Sequence, residues 1–134
     1  MNRKLWVILA GISTSCGAWA DSLLGVQHLL CAPGYVTHCS SGGECELRPP
    51  ENYNLPDFVR IDLEGQLILS TVASGDSQST PIQHVTRANG EIYLQGVEDG
   101  RAYSFVIDEV NGDLSISIVS NGESATAFGA CTPD

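Results

Sequence analysis

The chain has 134 residues, six Lys+Arg against 16 Asp+Glu, and a formal net charge of −10. That length accommodates one hydrophobic core, and an apolar fraction of 43% excludes a disordered acidic tail. A pI near 4.4 excludes the broad basic surface that nucleic-acid phosphates require.

Residues 1–20 have the layout of an export leader. Arg3 and Lys4 precede an apolar run from Leu5 to Ile12, and Ala18-Trp19-Ala20 supplies a small-x-small cleavage site. The run is far short of the roughly 20 residues that span a bilayer, and no later stretch approaches that length. Removing 20 of the 134 residues leaves 114, beginning at Asp21. Only Arg48, Arg60, Arg87 and Arg101 then oppose the 16 acids, for a net charge of −12, with no lysine and no tryptophan. A chain without lysine forms neither a Schiff base nor a P-loop phosphate site. Lipidation of Cys16 is the rival reading. The preceding Ser13-Thr14-Ser15, however, lacks the leucine that bacterial lipoprotein signals place there. The expected location is the periplasm or the medium.

Loss of Cys16 turns five cysteines into four: Cys31, Cys39, Cys45 and Cys131. In an exported chain this even set reads as two disulfides. Three pairings are open. Cys39–Cys45 with Cys31–Cys131 is favoured, because Ser40-Ser41-Gly42-Gly43-Glu44 can return tightly and the second bond fastens the two chain ends. A zinc site on Cys31, His38, Cys39 and Cys45 is weaker, since adjacent ligands at 38 and 39 suit one tetrahedral ion poorly.

In chain order, Leu23, Leu24, Val26, Leu29 and Leu30 predict a short helix over Ser22 to Leu30, weakened by Gly25. Glu44 to Arg48 predicts a short strand. Pro49-Pro50 interrupts pairing, and Asn54-Leu55-Pro56-Asp57 predicts a turn. Residues 21–57 thus read as a Cys-rich segment covering a β body over 58–134. Within that body Val59, Ile61 and Leu63 alternate with Phe58, Arg60 and Asp62, and Leu67 and Leu69 follow. After a polar loop from Ala73 to Thr80 come Ile82, His84 and Thr86, with the imidazole partly buried on the face of Ile82. Ile92 and Leu94 follow, then Tyr103, Phe105 and Ile107, then Leu114, Ile116 and Ile118. A last strand, Ser124 to Ala130, centres on Phe128.

Asn89-Gly90, Asn111-Gly112 and Asn121-Gly122, with Asp99-Gly100, predict hairpin turns of type I′, which need positive φ at both central residues. Short links of this kind pair neighbouring strands antiparallel. The expected fold is all-β: an antiparallel meander of seven or eight short strands forming a small barrel or a two-layer sandwich.

The Cys-rich start, the segments 55–62 (LPDFVRID) and 94–101 (LQGVEDGR), and the ending Phe128-Gly129-Ala130-Cys131-Thr132 resemble small exported β proteins of Gram-negative bacteria. That resemblance implies no catalytic residue. Asp99-Gly100-Arg101-Ala102-Tyr103 is similar in part to the inhibitory stretch of periplasmic c-type lysozyme inhibitors, which are small disulfide-linked β-barrels. That family's pattern also has a downstream lysine, whereas no lysine follows Lys4 here.

No site motif stands out. There is no Gly-x-Ser-x-Gly elbow, and no residue set points to a cofactor. The acidic pairs Glu98-Asp99 and Asp108-Glu109 border turns, where charge serves solvation. The segment 108–113 gathers oxygen atoms around a turn but departs from an EF-hand loop at Val110 and Val119. The expectation is a soluble, non-enzymatic binding or interaction module of the cell envelope, with an acidic surface suited to a cationic envelope protein or peptide. Alternatives are an inhibitor of a cationic hydrolase such as lysozyme, and a small hydrolase using acidic residues and His84. Tyr103, Phe105 and Phe128 read as core.

Overall fold

The computed structural model describes residues 21–53, 55–71 and 77–134. The leader, its cleavage site and Cys16 lie outside the described residues, as does part of the expected loop from Ala73 to Thr80. Period-two alternation of apolar and polar residues yields ten strands. These are β1 (His28–Ser40), β2 (Cys45–Arg48), β3 (Val59–Asp62), β4 (Leu67–Ser70) and β5 (Ser79–Pro81). They continue with β6 (His84–Ala88), β7 (Glu91–Glu98), β8 (Arg101–Asp108), β9 (Asp113–Ser120) and β10 (Glu123–Pro133). A single 3₁₀ turn, Pro50–Tyr53, follows β2. All pairings are antiparallel, in the order β5-β4-β3-β1-β10-β9-β8-β7-β6. The sheet curls into a half-barrel, so the all-β expectation holds, and eight of the ten strands come from residues 58–134. The two ends of the strand order, β5 and β6, are consecutive in sequence. Between them, the Ile82 N–H donates to the Gln66 carbonyl and the Gln83 N–H to the Gln95 carbonyl, so the chain bridges the gap in the barrel wall.

The Cys-rich segment corrects two expectations. No helix forms over Ser22 to Leu30: residues 21–27 are turn and coil, and β1 begins at His28. Leu29 and Cys31 are fully buried while His28 is exposed, so β periodicity overrides a loose helical pattern that Gly25, at φ 73°, already interrupts. Nor is the segment merely a cover. β1 lies in the middle of the sheet, pairing β10 along one edge and β3 and then β2 along the other. Only its flanks lie against the ends of the half-barrel.

Both disulfides join directly opposed residues of neighbouring strands. Cys31–Cys131 links β1 to β10, and Cys39–Cys45 links β1 to β2, as the loop chemistry favoured. The first is buried and fixes which residues of β10 point inward. With Cys131 facing the core, Ala125 and Ala127 must face it too, and Phe128 must face out. Phe128 is accordingly 69% exposed, against the expectation that it is core. Tyr103 and Phe105 are buried as expected. They pack with Leu29, Val59, Ile61, Ile92, Leu94 and Ile116, among others, into one cluster.

Two of the four hairpin turns have positive φ at both central residues: Asn89 (56°) with Gly90 (78°), and Asp99 (48°) with Gly100 (74°). At the other two only the glycine does, Gly112 (77°) and Gly122 (81°), so a type I′ turn is excluded there. Gly112 is further constrained. Its carbonyl accepts the Cys131 N–H, and a Cβ at this position would collide with the Cys131 carbonyl.

The charges of β7 to β10 sit at strand ends: Glu91 and Glu98, Arg101 and Asp108, Asp113, and Glu123. Between them the outer face is uncharged. Gln95, Ser104, Ser117, Thr126 and Thr37 form one cross-strand row over five strands. The acidity of these strands is therefore concentrated at the two rims of the half-barrel.

Candidate functional site

One rim is closed. Leu23 is fully buried, and its N–H donates to the Glu109 carbonyl. Beside it the Arg87 guanidinium pairs with the Glu109 carboxylate at 2.6 Å and also donates to the Val26 carbonyl. Glu109 is only 6% exposed, and Arg87 supplies the charge and hydrogen bonds that make its burial tolerable. The segment at 21–27 thus stoppers this end.

The other rim is open and holds a cavity of about 390 Å³. Its floor is apolar, with Val59 of β3, Ile68 of β4, Tyr103 and Phe105 of β8 and Ile118 of β9. Tyr53, Leu55 and Pro56 form one wall, because the 3₁₀ turn that begins at Pro50 carries the chain to this end before β3 starts. Glu98, Asp99 and Arg101 come from the β7–β8 hairpin, and Thr80 from β5. Ser70, Gln78 and Ser79 add to the polar side, so polar and apolar groups share the lining about equally; the volume of several hundred Å³ falls in the range of small-molecule sites.

Several contacts fix these side chains. Thr80 Oγ1 donates to Glu98 Oε2 at 2.5 Å, tying the half-buried carboxylate across the gap between β5 and β7. Tyr103 donates its hydroxyl to the Pro81 carbonyl, and its ring meets Phe105 edge-on at 5.9 Å between centroids. Gly96 faces Tyr103 in register, and a Cβ there would strike the tyrosine ring and hydroxyl; the glycine leaves the space in which the ring lies. Burial, and then the Glu98 charge, raise the Tyr103 pKa above its ordinary value, so the phenol remains a donor at neutral pH. The Tyr53 ring lies 5.3 Å from that of His38, and the buried Tyr53 hydroxyl has no hydrogen-bond partner among the described residues. Arg101 is exposed and makes no ion pair among the described residues.

The residues singled out by sequence are distributed differently. His84 is exposed at the start of β6 and does not line the cavity, contrary to its expected partial burial. The strand breaks between Ile82 and His84, so the alternation that seemed to place both on one face does not run through. Cys31, Cys39, Cys45 and Cys131 are all in disulfides, which leaves the proposed zinc set no thiolate. Among the described residues no group of three His, Cys, Asp or Glu is arranged for a metal ion. Asp108 Oδ1 accepts the N–H groups of Val110 and Asn111, and Asn111 bonds Asp113 in both directions, so these oxygen atoms hold the turn itself. The two acidic pairs lie at opposite rims, Glu98-Asp99 at the open one and Asp108-Glu109 at the closed one.

Of the cavity residues, Glu98, Asp99, Arg101, Tyr103 and Phe105 were visible as candidates or core. Tyr53, Ile68, Thr80 and Ile118 were not singled out for a site, because only the curl of the sheet brings their four segments together. No protein family, curated protein or solved structure matches the chain.

Proposed function

We propose that the protein is a non-enzymatic binding module that receives its ligand in the open end of the half-barrel. The cavity of about 390 Å³, with one rim stoppered by Leu23 and the other open, carries this reading. Tyr103 and Phe105 are buried and fixed by the strand register, which gives a guest a preformed surface. The leader-like residues 1–20 and the two disulfides support an exported protein acting in the cell envelope.

Chemical-shift mapping with a panel of small cationic, neutral and anionic amphipaths tests the reading. Saturable shifts are expected at Val59, Ile68, Tyr103 and Ile118. They should vanish in Ile118→Trp, which fills the cavity from β9, while that variant retains its dispersed β-sheet spectrum. Absence of saturable shifts from every member of the panel, in folded protein, overturns it.

A further inference from the structure

We infer that the cavity is a site for an organic ammonium group, either a small alkylammonium solute or the side chain of a lysine. This rests on the binding-module reading and names its ligand class. Three aromatic rings, Tyr53, Tyr103 and Phe105, line one cavity with a carboxylate at its mouth. An ammonium is drawn to ring faces by their quadrupole and to the carboxylate by charge, while its alkyl groups meet the apolar floor of Val59, Ile68 and Ile118. A neutral guest gains only the last of these, and an anion is repelled by the first two.

The carboxylate is prepared for that role. Glu98 Oε2 is engaged by Thr80, whereas Oε1 accepts no hydrogen bond among the described residues. Asp99, next in sequence, adds a second negative charge at the mouth. Among the described residues the only cation lining the cavity is Arg101, which pairs in register with Glu98 but has an exposed side chain and no ion pair there. Three charged groups thus leave the mouth net negative, within a chain of net charge −10. The Tyr53 hydroxyl is itself buried, with no hydrogen-bond partner among the described residues, so Tyr53 contributes its ring and not its hydroxyl to the lining.

The test compares choline with its neutral isostere 3,3-dimethylbutan-1-ol by calorimetry and chemical-shift mapping, beside acetyl-Gly-Lys-Gly-amide and an anionic amphipath of similar size. Choline or the lysyl peptide is expected to bind at least about tenfold more tightly than the neutral isostere. Which of the two binds more tightly identifies the solute or the protein side chain as the natural source. Glu98→Gln, whose amide oxygen still accepts from Thr80, should remove that preference and leave the isostere unaffected. Phe105→Leu should reduce it, Arg101→Gln should increase it, and Asp113→Asn at the far rim should leave it unchanged. Equal or tighter binding of the neutral or anionic compound overturns the ammonium assignment while the binding-module reading stands. No binding by any compound overturns both.

Discussion

At the scale of single residues, the most committed contact is the one that closes the far rim. Glu109 is buried, and its charge is opposed by Arg87 alone among the described cations. Arg87→Ala should therefore destabilise the protein by about 3–5 kcal/mol, the range for stranding a buried charge. Adding Glu109→Gln should recover part of that loss. Urea unfolding of the two variants and the parent measures both, and an Arg87→Ala cost below about 1 kcal/mol would show the pair to be a surface contact. This ion pair was not legible in the sequence. Arg87 and Glu109 are 22 positions apart, and nothing local marks either as buried. Glycines at turns were legible, because positive φ is a local demand. Gly96 was not, since the space it leaves belongs to a ring on the next strand.

At the scale of elements, most strands of residues 58–134 were readable because they alternate and are bounded by turn residues; β5 was not, since Ser79 and Thr80 read as the end of the polar loop from Ala73 to Thr80. β1 was not, although it is the longest strand, at 13 residues. Its apolar positions sit beside Gly25 and a dense cysteine loop, and a β-bulge between Pro33 and Val36 breaks its alternation. The cysteines nonetheless predicted its role indirectly, since a bond between residues 31 and 131 places the two ends of the chain side by side. Replacing Cys31 and Cys131 together by alanine should lower unfolding free energy by about 2–5 kcal/mol, and more than the same change at Cys39 and Cys45. The long ring restricts the unfolded chain by about 4.7 kcal/mol and the short one by about 2.4. Denaturant unfolding of both double variants under non-reducing conditions ranks them, and equal losses would show that strand pairing, and not ring size, sets their worth.

At the scale of the whole molecule, charge and cavity share a geometry. Acids gathered at strand ends charge both rims and leave the middle of the outer wall uncharged, so the open mouth lies within one of the two acidic rims. Composition announced the acidity, but only the curl of the sheet shows where it is concentrated. The same scale carries the expectation for the leader. Protein recovered from the periplasm or medium should begin at Asp21 and lack tryptophan emission, because Trp6 and Trp19 both precede it. N-terminal sequencing and a fluorescence spectrum check this, and a retained Trp19 would move the cleavage point.

The position of β1 also has a consequence in time. Strand β1 pairs with β10, whose residues follow it by about 100 positions, so the centre of the sheet forms only after both segments have been made. A nascent chain emerging N-terminus first can assemble its local hairpins, but it must close a loop of about 100 residues before the wall is continuous. The central pairing of the sheet is therefore also the last that a chain made from its N-terminus can complete.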